Sequence, residues 1–162
     1  MRKLVFITTI VCLFAAAAAA QGKIASAWTC DKPSSMNSIP VPDHAGHAYG
    51  IDQFHCTATK GEIGGVKDKE GTGTEFMDMT GANAKGHGTF VETLANGDKL
   101  NISYTSSATM SKDGKLESAS NKWEVTEGTG KFKGVKSSGS CTGKGAGDGS
   151  SWTCTGSYSM PK

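Results

Sequence analysis

Past its first twenty residues the sequence has no apolar run approaching the ~20 residues a helix needs to span a bilayer. It has no arginine there either, since Arg2 is the only one in the chain. The planar guanidinium fork that grips phosphates and guanine edges is therefore missing, and the lysines are scattered rather than clustered. No nucleic-acid partner is expected. Apolar residues at helical spacing are missing too, because Gly, Ser and Thr interrupt every candidate window, so helix content should be low. Aromatic residues make up only 7% of the chain, and bulky aliphatic side chains are few. Such a domain must find part of its stability outside an ordinary apolar core.

What is present begins with MRKLVFITTIVCLFAAAAAAQG, where Arg2 and Lys3 precede an apolar stretch that ends in an alanine tract. This pattern reads as a secretory signal peptide over residues 1–20. Residues 21–162 then form one domain that is exported to the periplasm or secreted, with no membrane association after cleavage. Removing Arg2 and Lys3 lowers the 17 basic residues to 15, which equals the 15 acidic ones. The apparent positive charge belongs to the leader.

Cleavage also removes Cys12 and leaves Cys30, Cys56, Cys141 and Cys154. An even number of cysteines in an oxidising compartment predicts two disulfides, for which three pairings are formally possible. Structural zinc sites bring cysteines together in close pairs, and no two of these four are near neighbours in sequence.

The domain opens with IASAWTC and a Pro-rich loop over residues 31–47, which holds Pro33, Pro40 and Pro42. From Ala48 onward, short β-branched and aromatic runs alternate with Asn96-Gly97, Asp113-Gly114 and Gly147-Asp148-Gly149. Strands and turns at this spacing predict an antiparallel meander. The polar, Gly-rich stretch GEIGGVKDKEGTGTE (residues 61–75) reads as a long loop or an edge hairpin.

Two hairpins allow a register to be predicted. A three-residue loop with a glycine bulge around Asn96-Gly97 gathers Phe90, Glu92, Leu94, Leu100, Ile102 and Tyr104 on one face. A two-residue turn there would split that apolar set. In the last hairpin, a two-residue turn at Gly147-Asp148 places Cys141 opposite Cys154, ~4.5 to 5.5 Å apart at Cβ. Cys30 is then left to pair with Cys56. The repeated Trp28-Thr29-Cys30 and Trp152-Thr153-Cys154 would lie close together if the first and last strands were neighbours.

Chemical motifs are sparse. Gly143-Lys144-Gly145 fails the phosphate-loop pattern, and Gly128-Thr129-Gly130 fails the dinucleotide fingerprint, so no cofactor is expected. No GxSxG elbow occurs, and no catalytic residue is assigned. Asp43-His44-Ala45-Gly46-His47 offers metal-ligand chemistry that His55 or His87 could join. Histidines so spaced outside a helix have no fixed geometry, so no metal is assigned. Glu92 is the sharpest candidate, because a carboxylate on an apolar face should hold its proton unusually tightly.

The segment Gly128-Thr129-Gly130-Lys131-Phe132-Lys133-Gly134-Val135 resembles the GTGxFxGxxG signature of barrels similar to allene oxide cyclase and the dirigent proteins. Exported bacterial proteins that share WTC near the start and this signature near the end are similar in outline. The resemblance implies a closed antiparallel barrel of about eight strands with a central cavity, which the two expected disulfides would staple. In it Gly128 and Gly130 allow a tight turn and Phe132 plugs one end, with Gly134 completing the signature loop. The expected function is binding of a small, partly apolar ligand or a surface partner, with Phe90, Glu92, Ile102 and Tyr104 as candidate cavity residues. The alternatives are a cyclase or isomerase acting in the cavity, and a structural protein with a filled barrel. No oligomeric state is specified.

Overall fold

The computed structural model describes residues 21–161. The signal peptide expected at residues 1–20 lies outside the described residues. The elements are β1 (Gln21–Cys30), β2 (Ser35–Pro40), β3 (His47–Lys60), β4 (Glu62–Ile63), β5 (Val66–Thr80), β6 (Asn83–Leu94), β7 (Lys99–Met110), β8 (Leu116–Gly128), β9 (Lys136–Ala146) and β10 (Gly149–Ser159). One 3₁₀ turn, Gly130–Phe132, is the only helical element among the described residues. Strands β3, β1, β10, β9, β8, β7, β6 and β5 follow one another by antiparallel pairing, and β5 pairs back to β3. The result is a closed eight-stranded barrel, and closure removes nearly all the free strand edge.

Both predicted registers are present. Phe90 pairs with Ile102 and Glu92 with Leu100. The loop between β6 and β7 closes through a hydrogen bond from Leu94 N to Asp98 O, with Gly97 at φ 87°. Cys141 pairs with Cys154 across β9 and β10, and the two sulfurs are bonded. Cys30 and Cys56 face each other across β1 and β3 and form the second disulfide. The first and last strands are neighbours, which sets Trp28 directly opposite Trp152.

Two expectations need correction. The Pro-rich segment is not wholly a loop, because Ser35–Pro40 pairs with Ala48–Gln53 as β2 and continues the path of β1 along β3. Pro40 is tolerated because it is the last residue of a strand that pairs on one side only. The Gly-rich stretch after Gly61 is an edge feature only in its first arm, β4, which pairs with β5 alone. The stretch does form a hairpin at Gly64-Gly65, but its second arm is β5, a fifteen-residue strand of the barrel wall.

The glycines in that wall make room for rings. An added Cβ at Gly73 would strike the Phe54 ring, one at Gly143 the Trp152 ring at 2.6 Å, and one at Gly139 both the Trp123 ring and the Thr155 carbonyl. In a narrow barrel, inward positions must alternate between small and large to fill the taper.

One end is plugged. Phe132 is 0% exposed and packs with Ile63, Leu94, Leu100 and Val135. Its turn is fixed by Gly130 at φ 51°, a left-handed conformation, and by hydrogen bonds from Lys131 N to Asp98 and from Lys99 N to Thr129 Oγ1. Above the plug lies a second cluster, in which Trp28 and the two disulfides pack with Phe54, Phe90, Trp123 and Trp152. At the opposite end the inward-facing Met36, paired with Asp52, is 60% exposed. The outer faces of β2, β3 and β5 there carry exposed Ile39, Tyr49, Ile51 and Phe76.

Candidate functional site

A cavity of about 130 Å³ runs through the barrel above the plug. The side chains that reach it are set by the two-residue period of the strands. Phe90, Glu92, Leu100, Ile102 and Tyr104 project inward together because β6 and β7 pair in the register described above. The sequence-predicted group of Phe90, Glu92, Ile102 and Tyr104 therefore stands on one stretch of cavity wall. Trp28, Trp152 and the four disulfide cysteines line the facing stretch. Gly128, Gly130, Phe132 and Gly134 do not reach the cavity lining and belong to the plug.

Three further carboxyl groups join Glu92, and sequence reading missed all of them. Glu75 and Asp68 line the cavity from β5, and Asp52 on β3 pairs directly with Glu75. Glu75 follows the inward alternation of Gly71 and Gly73. Asp68 does not: a register shift between Asp68 and Glu70 turns it inward despite its even number. Alternation read along the sequence would have put it outside. The available signal for Glu75 was its two-residue spacing from Gly73, which carried no weight while the segment read as a loop.

These groups share a low-dielectric interior, and among the described residues no Lys, Arg or His side chain lines the cavity. Burial raises every one of their proton affinities. Asp52 is pushed up to about 6 by burial and by the charge of Glu75. Asp68 is also raised to about 6 by burial, with the neighbouring carboxyl of Glu92 holding it back. Glu92, 6% exposed, is raised well above the ordinary carboxylate range by burial and then by Asp68. Glu75 is raised by burial, while Ser106 Oγ donates to it and the Tyr104 hydroxyl lies against it. Burial also raises Tyr104.

Four buried polar atoms make no well-formed hydrogen bond among the described residues: Asp52 Oδ1, Glu92 Oε1, Trp123 Nε1 and, although it lies beside Glu75, Tyr104 Oη. The other two tryptophans differ in this respect. Trp28 Nε1 donates to Ser26 Oγ at 3.1 Å, and Trp152 Nε1 donates to Ser150 Oγ at 2.9 Å. An unpaired buried polar group costs about 1–3 kcal/mol, so three on the cavity wall, with a fourth on Asp52 beside Glu75, mark a place where further hydrogen bonds are called for.

No family model and no curated protein matches the sequence. Among solved structures, the chain is similar to the pterocarpan synthase dirigent protein PsPTS1, with a TM-score of 0.50 and 10% identity over 88% of this chain and 97% of that one. The pterocarpan synthase dirigent protein GePTS1 aligns with a TM-score of 0.49 and 10% identity over 99% of this chain and 98% of the other. Neither neighbour is an allene oxide cyclase, and neither bears on a bacterial source. What the chain shares with the first of them is the fold, a closed antiparallel barrel of the dirigent type.

Proposed function

We propose that this protein is an exported barrel that binds a small, ring-bearing, partly apolar molecule in its cavity. The observation that carries the reading is the set of unpartnered polar atoms on Glu92, Tyr104 and Trp123, set in a wall that is otherwise mostly aromatic and apolar, with that of Asp52 beside them next to Glu75. An apolar cavity of similar volume holds a benzene-sized group, so about 130 Å³ suits one ring of the ligand, with its polar substituents meeting the unpaired atoms. Anionic ligands are disfavoured, because the interior holds four carboxyl groups and no cation. A neutral phenol-like or cationic molecule fits the charge. At 10% identity the dirigent neighbours lend the fold alone, so ligand class rests on this interior.

Native mass spectrometry of protein purified from its own host tests the proposal. A small-molecule adduct that Glu92→Gln weakens and Phe76→Ala on the outer wall leaves intact is the expected result. A bare chain, together with no quenching of tryptophan fluorescence by neutral phenols, would favour the filled structural barrel instead.

The proximity of Asp68 and Glu92 favours a second reading, in which the barrel turns its ligand over. Two neighbouring buried carboxyls, both with raised proton affinity, form an acid–base pair suited to a cyclase or isomerase. On this reading Glu92→Gln abolishes turnover and leaves the adduct in place.

A further inference from the structure

The Asp43–His47 loop carries a second, independent arrangement on the outside of the barrel. His44 Nδ1 and His47 Nδ1 lie 3.0 and 2.7 Å from the same oxygen, Asp43 Oδ1. The two imidazoles stack with centroids 4.6 Å apart and planes 17° from parallel, and both Nδ1 atoms lie beside the Asp43 carboxylate, so one ring must tilt for both to face a common ion. All three donor atoms lie within 4.8 Å of one another. The loop is held by its own backbone: Val41 N donates to His47 O, Gly81 N donates to Gly46 O, and Gly46 sits at φ 78°.

His47 is the anchor. Its side chain is only 7% exposed, although it lies on the outer face of β3, because His44 and Tyr49 cover it. Its other nitrogen, Nε2, faces Asp78 Oδ1 at 3.2 Å. Nδ1 shares a proton with Asp43 Oδ1 at 2.7 Å, and with Nε2–H donating to Asp78, an incoming cation that displaces that proton finds a lone pair on Nδ1. A carboxylate behind a histidine in this way is the usual partner of a metal ligand, because it fixes both tautomer and ring orientation. Ligands at ordinary bond lengths of about 2.0–2.2 Å stand a little over 3 Å apart; Asp43 Oδ1 is already about that far from each Nδ1, and the two Nδ1 atoms, within 4.8 Å of one another, must draw together to surround a cation.

We propose that Asp43, His44 and His47 bind one divalent first-row cation with a preference for imidazole, Zn²⁺ or Cu²⁺, with Asp78 as the positioning residue behind His47. Two imidazoles and one carboxylate suit these ions and not the oxygen-seeking Ca²⁺ or Mg²⁺. Three protein donors leave at least one coordination position to water. The site is remote from the barrel interior and does not depend on what the cavity holds.

The test is calorimetric titration of the processed, oxidised, chelator-stripped protein with ZnCl₂. The expected outcome is one ion per chain. Saturable binding should be lost in His44→Ala, a substitution at an exposed position that leaves the fold intact, and in Asp43→Asn. Asp78→Asn should weaken binding by about tenfold. His87→Ala, a lone histidine on the outer wall, should change nothing. Absence of stoichiometric binding would overturn the proposal, and so would an affinity unchanged in His44→Ala.

Discussion

Glu92 on β6 and Asp68 on β5 turn their carboxyl groups toward one another inside the barrel, and each alters the other's hold on a proton. They meet because β6 presents its even-numbered residues inward and the irregularity between Asp68 and Glu70 brings Asp68 round to the same side. No cationic side chain among the described residues lines the cavity they share. Burial therefore raises the proton affinity of both, that of Asp68 to about 6.

This sets the pH dependence of stability. Asp52 and Asp68 hold a proton up to about 6 in the folded chain, against 3.8 for a free aspartate side chain, and Glu75 and Glu92 shift the same way. The folded state then binds more protons than the unfolded state between those limits. Stability is fully present below the ordinary carboxylate range and is lost as pH rises through about 6. The melting temperature should be several degrees higher near pH 4.5 than near pH 7.5. An Asp68→Asn/Glu92→Gln double variant should flatten the profile. Scanning calorimetry that showed stability rising over this interval would contradict the buried-carboxyl account.

The disulfides should act as staples of unequal reach. Cys141–Cys154 spans a sequence separation of 13 and Cys30–Cys56 one of 26. By chain entropy these are worth about 3 and about 3.5 kcal/mol. Paired Cys→Ser variants should each lower the urea midpoint clearly, with the Cys30/Cys56 pair the costlier. Cys30–Cys56 also fixes the point where the chain leaves β10 and continues along β3, so its loss should expose the Ser35–Pro40 segment to proteolysis. Equal protease resistance with and without that bond would count against this role.

Packing at the plug and in the wall gives graded expectations. Phe132→Ala removes a fully buried ring and should cost about 3–5 kcal/mol. Phe76→Ala, exposed on the outer face, should cost under about 0.5 kcal/mol. Gly139→Ala drives a Cβ into the Thr155 carbonyl as well as the Trp123 ring, and should cost about 1–3 kcal/mol. Denaturant titration of the three variants should return that order. A tolerant Gly139 would mean that β9 and β10 are less tightly held than their pairing implies.

Much of this was legible before any coordinates. The alternation Phe90, Glu92, Leu94 against Leu100, Ile102, Tyr104 admits one register that buries a face, and the turn at Gly147-Asp148 dictates which sulfurs meet. Both are local consequences of the two-residue strand period and of turn length. The wall strand β5 was illegible for the opposite reason. Its inward residues Gly71 and Gly73 are small because Phe90 and Phe54 occupy the space in front of them, so no apolar pattern marks the strand. Segment β2 was hidden in the same way, since all six of its residues are exposed.

By itself, then, the sequence determined an all-β chain, its two sulfur pairings and the carboxylate Glu92 on an apolar face, because each follows from spacing within one or two hairpins. Only the closed barrel decided that Asp52, Asp68 and Glu75 would join it and that Trp28 would face Trp152. Barrel closure likewise brought Asp78 up to the ring of His47. Those meetings join residues far apart along the chain, and they depend on a bulge, on ring closure and on the volume left by glycines. None of these quantities is encoded in any short stretch of residues.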